Sequence, residues 1–348
     1  MMVEHPVPTH ESRIHGCLLG GALGDSRGYA AEPEAAGTGA FSARTQMTLY
    51  TVDGLLETLE WANSGVAADT NACLWLAYLR WLGSQGEVLP DSAPFQPPRW
   101  IDSHEVLRQR RSPAAAALSG LATGEMGTLQ RPVNPDSKDS GTVPRSAPFG
   151  LVPNLPADTV YKLSADAAAL THGHPAARQS AGVFSLLIQS LTLGSGLPEA
   201  ADVALSHLAE GTLPRGEAPD AAVLDRLTAS LRLAKDTNDD GAAMAAGGLA
   251  SVLGGGNAAE EVLAVALYAV LATAQGEAAA VAPEEHFRAA IAAALGHGGD
   301  GASAASIAGN ILGAYYGEAC LPADWLALLE APDLIRGMAG RLVEVTGA

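Results

Sequence analysis

Five stretches of the sequence carry residue types at spacings that can do chemistry. The first, Gly16-Cys-Leu-Leu-Gly20-Gly21-Ala-Leu-Gly24-Asp25, runs on to Glu32. Its glycines fit neither the GxxxxGK[ST] phosphate loop nor the GxGxxG fingerprint, and no strand leads into them, so tight helix packing is the plain reading. In so acidic a chain Asp25 and Glu32 read plainly as solvated surface; a Gly-Asp-Ser turn after an apolar helix favours an inward Asp25, and the two carboxylates are then available for acid–base chemistry. The second stretch, Asn134 to Arg145, joins Ser140, Gly141 and Thr142 to Lys138 and Arg145. Backbone N–H groups beside two cations suit a phosphate, and the same composition suits an ordinary surface loop.

The third stretch is Thr171-His172-Gly173-His174-Pro175. Two histidines at i, i+2 suit a loop, and without further ligands a capping or hydrogen-bonding role is the plain reading. The fourth, Asp236-Thr-Asn238-Asp-Asp240-Gly241, matches half of a calcium loop. Gly247 stands where the bidentate Glu is needed, so the segment is read as a polar turn or helix start. The fifth, His297-Gly-Gly-Asp300-Gly-Ala-Ser303, opens a helical segment. Asp300 or Ser303 can cap it, and a helix start attracts oxyanions.

The elements that must position these groups are helical. Apolar residues recur at i, i+3, i+4, i+7, i+8 and i+11 from Ala304 to Tyr315 and again from Ala259 to Val270. Asn257 with Glu260 reads as a capping box for the latter, and Gly317 as a stop for the former. Met47 to Trp61 and Cys73 to Leu82 also read as helices, and no alternating strand run is convincing. Loops are expected at 84–99, 124–149 and 210–220, and no repeat of fixed period appears. The expectation is an all-α chain with a flexible tail over 1–12 and one compact domain over 13–348.

Composition bounds the partners. The chain has 348 residues, 48% hydrophobic and 17% charged, enough to bury a large core. Asp plus Glu is 38 against 20 Lys plus Arg, a net charge of −18, which argues against binding a nucleic-acid backbone and disfavours anionic membranes. Three dispersed cysteines outside any CxxC pattern fit a reducing compartment. The polar first dozen residues hold no apolar signal core, and the run Val262 to Ala274 is too short to span a bilayer. A soluble, cytoplasmic protein is expected.

Taken in order, these pieces resemble the ADP-ribosylglycohydrolase family. Residues 13–32 resemble its opening, and 42–57 (SARTQMTLYTVDGLLE) its Ser/Thr-Asp-Asp-Thr-Gln-Met-Thr-Leu motif. Residues 134–151 resemble its Asn-x-Ser-Lys-Gly-Cys-Gly-x-Val-Met-Arg-x-Ala-Pro loop. Residues 171–175, 255–271 and 297–317 resemble later blocks. The resemblance implies a single all-α domain whose cleft holds ADP-ribose. It also implies two magnesium ions in active relatives, bound by the Asp-Asp pair and a late Asp-x-Asp-Ser/Thr motif. By position Glu32 gates the site or acts as acid or base. Ser42, Arg44, Lys138, Ser140, Gly141, Thr142, Arg145, His172, Asp300 and Ser303 fall at ligand-contacting positions.

The sequence departs from that pattern at the metal ligands. Ala43-Arg44 replaces the Asp-Asp pair, and Ala302 the second acid of the late motif, leaving Asp300. Magnesium prefers octahedral oxygen ligation, so no metal site and no cofactor are expected. Asp139-Ser140 replaces Gly-Cys in the phosphate loop, which puts an acid beside a phosphate position. Arg44 is expected to take over part of the ions' electrostatic role by pairing with Asp300 or by meeting a phosphate or ribose diol. Three readings stay open. The chain binds ADP-ribose or an ADP-ribosylated ligand with little hydrolysis; or it hydrolyses ADP-ribosylated acceptors without metal, using Glu32 or Asp25; or it has a structural, partner-binding role like lens-type relatives.

Overall fold

The structure is a computed structural model; it describes every residue except 1–6, 33, 34, 36, 38, 212, 241–245 and 275–281. Its helices are α1 (His10–Tyr29), α2 (Ala43–Asn63), α3 (Thr70–Ser84), α4 (Ala115–Ala122), α5 (Ala147–Leu151), α6 (Ala157–Ala169), α7 (Pro175–Thr192) and α8 (Leu197–Glu210), followed by α9 (Ala221–Asp240), α10 (Ala246–Leu253), α11 (Ala259–Thr273), α12 (Pro283–Gly296), α13 (Gly301–Tyr316), α14 (Ala323–Leu328) and α15 (Pro332–Thr346). No strand occurs among the described residues, where the sole bridge links Asp139 and Ala258. No described helix is long and apolar enough to cross a membrane. The all-α expectation holds.

The axis of the fold is the antiparallel pair α1 and α13. Both are buried on nearly all sides, so neither shows the one-faced polarity of a surface helix. Small residues let their backbones touch. A Cβ on Gly20 would lie 2.4 Å from Gly309 O, and one on Gly309 would lie 2.0 Å from Gly20 O. The same stripe pairs Gly16 with Gly313 and Gly24 with Ala305. Polar clamps fix the register: Asn310 Nδ2 donates to Cys17 O at 2.8 Å, and Arg13 Nη1 donates to Ala314 O at 2.7 Å and Tyr315 O at 2.8 Å. The arrangement brings the end of α1, with Asp25, beside the start of α13, with Asp300. Around this axis α11 and α12 pack on α13, α15 packs on α1 and α2, and α2 packs on α3.

The periodic segments form the expected helices, each extended by a few residues, and Gly317 ends α13 with φ +69°. Four local differences have physical causes. The box at α11 is closed by Glu261, whose carboxylate accepts the Asn257 and Ala258 N–H groups, while Glu260 is buried. Asp236 to Asp240 form the last turn of α9 rather than a turn or helix start, and Gly241 lies outside the described residues. His10 to Ser12 belong to α1, because Thr9 caps that helix by accepting the Ser12 N–H at 3.1 Å. The 124–149 loop tightens at its end into two 3-10 turns, Ser140–Thr142 and Pro144–Ser146, and then α5.

Close backbone contact makes α1 and α13 intolerant of side chains. Gly20→Val or Gly309→Val is expected to destabilise the fold by about 1–3 kcal/mol or more, because overpacking forces backbone shifts. Urea denaturation checks this, and an unchanged midpoint would contradict the close contact.

Candidate functional site

Four elements converge at one end of the α1–α13 pair: the end of α1 with Glu32, the start of α2, the Ser140–Thr142 turn and the start of α13. Asp25 is fully buried on α1. Its carboxylate accepts Ser42 N–H at 2.8 Å, Ser42 Oγ–H at 2.7 Å, Thr45 Oγ1–H at 2.6 Å and Thr45 N–H at 3.3 Å. Four donors satisfy both oxygens, so Asp25 fastens the start of α2 to α1 and does not line the cavity. Ser42 also caps α2, accepting Arg44 N–H at 3.2 Å.

Asp300 caps α13. Its Oδ1 accepts the Ser303 N–H at 3.0 Å, and its Oδ2 accepts the hydroxyls of Ser303 at 2.6 Å and of Ser140. The turn before it depends on Gly299, whose φ is +63° and whose Cβ, if present, would meet Gly255 O at 2.2 Å. No L residue with a side chain fits there without strain. Asp300 N–H donates to Gly256 O at 2.6 Å, which ties this turn to the loop before α11.

Arg44 lies between these acids. Nη2 donates to Asp300 Oδ1 at 2.8 Å, Nε to Ser303 Oγ at 2.9 Å, and Nη1 to Ser42 Oγ at 3.1 Å and Glu32 Oε1 at 3.2 Å. Asp25 Oδ1 stands 3.9 Å from Nη1. Burial opposes the charge on Arg44, but Asp300, Asp25 and Glu32 outweigh it and raise its pKa, so the guanidinium stays charged. Burial also opposes ionisation of Asp300; the Arg44 charge and the hydroxyls of Ser140 and Ser303 overcome it and hold this carboxyl below its ordinary range. Glu32 Oε2 accepts Ser112 Oγ–H at 2.7 Å. One cation therefore faces three carboxylates.

In this arrangement the acids nearest one another are engaged by protein donors. A magnesium ion takes octahedral oxygen ligation, with waters completing a set that includes one or two carboxylates. Here Asp25 is saturated by protein donors, Asp300 is engaged by a guanidinium and two hydroxyls, and the space between them holds Arg44. Among the described residues no group of three His, Cys, Asp or Glu side chains is arranged to hold a metal.

A cavity of about 290 Å³ opens beside Arg44. Arg44, Asp139, Ser140, Gly141, Arg145, Asp300 and Ser303 line it with Trp81, Met47, Ser112 and Asn257. The other expected residues are placed as follows. Thr142 is buried and donates to Ala177 O at 3.1 Å. Lys138 is exposed and pairs with buried Glu260 at 3.5 Å. His172 is fully buried behind the turn and reaches the cavity only through Asp139, to whose Oδ1 its Nε2 donates at 2.5 Å. Burial lowers the His172 pKa despite the neighbouring carboxylate, so the ring is neutral at pH 7.

Sequence reasoning did not select Trp81, Ser112 or Asn257 for the site. Ser112 has φ +46° just before Pro113, a conformation that the sequence does not announce.

The Asp300 shift has a definite sign. A carboxyl whose folded pKa is depressed contributes stability that is complete above the unfolded value of about 3.9 and is lost as pH falls through the folded value. Asp300→Asn is expected to cost about 2–3 kcal/mol at pH 7, the scale of losing one partner of a partly buried charged pair. Its thermal midpoint should then fall less steeply than that of the wild type below about pH 4. Parallel acid limbs in a pH series of melting curves would refute the linkage.

Comparison with known proteins extends this description. The ADP-ribosylglycohydrolase family model matches residues 6–348. A solved structure described as an "ADP-ribosylglycohydrolase-related protein complex" is 20% identical, with a TM-score of 0.63 over 97% of this chain and 99% of that one. At that identity the likeness speaks for the fold. No curated protein matches the sequence. Because the family model spans nearly the whole chain and the solved structure shares its helical architecture, the chain belongs to the ADP-ribosylglycohydrolase family.

Proposed function

We propose that the chain binds ADP-ribose or an ADP-ribosylated ligand in the cavity beside Arg44, with little or no metal-dependent hydrolysis. The single observation that carries this reading is the Arg44 guanidinium held by Asp300, Glu32, Ser42 and Ser303 at the cavity wall. A fixed cation keeps the acids of the site in place and gives a polar wall to a sugar without any divalent ion. An arginine orients and stabilises charge, but it does not lower the pKa of a bound water as a metal does. Binding is therefore easier to retain than hydrolysis.

A second reading, metal-independent hydrolysis, draws support from Glu32. It is partly exposed and held on both oxygens, by Arg44 and by Ser112. Glycosidic bonds break through cation-like transition states with carboxylates alone, so a single placed acid can contribute. Asp25 is poorly placed for that role, since all its hydrogen-bonding capacity faces the start of α2.

Calorimetric titration with ADP-ribose tests the first reading. Equal affinity in chelator and in magnesium is expected; absence of binding in both leaves the structural, partner-binding role. Turnover of an ADP-ribosylated peptide that vanishes in Glu32→Gln would establish the second reading instead. The triple variant Ala43→Asp, Arg44→Asp, Ala302→Asp should gain a magnesium-dependent increase in ADP-ribose affinity. No magnesium effect there would overturn the assignment of positions 43, 44 and 302 to ion ligands.

A further inference from the structure

The Ser140–Thr142 turn presents donors of the kind that hold an anion. Gly141 N–H points at 3.2 Å to Asp139 Oδ1, and His172 Nε2–H points to the same oxygen at 2.5 Å. Behind them lies Arg145, 2% exposed, whose Nη2 donates to Thr171 Oγ1 at 2.6 Å. That hydroxyl is 2.7 Å from His172 Nδ1. The Asp139 carboxylate can only accept, which assigns the ring proton to Nε2, and in the neutral ring Nδ1 then accepts the Thr171 hydroxyl proton. The donors form one directed row, from guanidinium to hydroxyl to imidazole, ending on Asp139.

Arg145 gives an independent sign of an anion position. It lines the cavity, its Nη1 is buried with no hydrogen-bond partner, and among the described residues no carboxylate forms an ion pair with it. Its face rests on Tyr78 at 4.6 Å, which stabilises a cation but does not neutralise it. A buried, uncompensated cation at a cavity wall calls for a negative group nearby. The chain supplies its own: Asp139 caps the turn, and its side chain is 46% exposed on the cavity side.

We propose that Asp139 is a specificity-determining residue whose carboxylate occupies the anion position of this turn. The cavity then accepts the hydroxyl-rich ribosyl part of a ligand, whose O–H groups donate to Asp139, and disfavours a phosphate on that wall. The inference deepens the ADP-ribose reading and rests on the same cavity. It concerns which end of the ligand meets which wall.

The test is calorimetric titration of wild type and Asp139→Asn with ADP-ribose and, separately, with inorganic phosphate at low salt. The amide keeps the shape and still accepts from His172, and removes one like charge at hydrogen-bonding range. Asp139→Asn should bind inorganic phosphate at least about tenfold tighter, and ADP-ribose no tighter, because its ribosyl O–H groups lose a charged acceptor. Asp139→Ser, also uncharged, serves as the second variant if the amide fails to fold, and its melting curve reports structural integrity. If wild type binds ADP-ribose and neither variant gains affinity for inorganic phosphate, the Asp139 inference fails and the ADP-ribose reading survives. If the variants bind phosphate and no form binds ADP-ribose, the Asp139 charge is the barrier to a phosphate and the ADP-ribose reading fails. If no form binds either probe, both fail.

Discussion

The arrangement at the cavity end of the molecule depends on one guanidinium among three carboxylates. Asp25, Glu32 and Asp300 come from the end of α1, the loop after it and the cap of α13. Without a cation between them their mutual repulsion would force those elements apart. Arg44 reaches them from the first turn of α2, and Asp25 in turn anchors that first turn through Ser42 and Thr45. The arrangement is reciprocal: α2 delivers the cation, and one of the acids that the cation balances holds α2. A planar fork of donors suits this better than an ammonium would, because it meets Asp300, Ser303, Ser42 and Glu32 at once.

Much of this was legible in the sequence, for reasons that differ between parts. The helices around 259–270 and 304–315 are visible because burial on one face imposes a 3.6-residue period. The pairing of Arg44 with Asp300 follows from charge, since an arginine where acids cluster has few other stable partners. The family's motif order carried the assembly of distant segments, which periodicity alone does not give. Asp236 to Asp240, expected as a polar turn or helix start, form the last turn of α9, because a run of polar residues does not show which helix it ends. Aspartates at the end of a helix and at the start of a calcium loop look alike along a chain.

What the sequence left hidden depends on tertiary placement. Asp25 looks like a free acid until the start of α2 is seen to cover it. His172 looks like a ligand contact until Asp139 is seen between its ring and the cavity. Ser112 joins the site through a left-handed backbone before a proline, against local preference, held by its bond to Glu32. In each case a second segment, far away along the chain, decides what the side chain can reach.

The glycine stripe between α1 and α13 sets the distance that Arg44 has to bridge. Because the two helices meet backbone to backbone, the spacing between the acids they carry is dictated by main-chain atoms and not by rotamers. A change of charge at position 44 would therefore alter what the gap between Asp25 and Asp300 holds without altering its width.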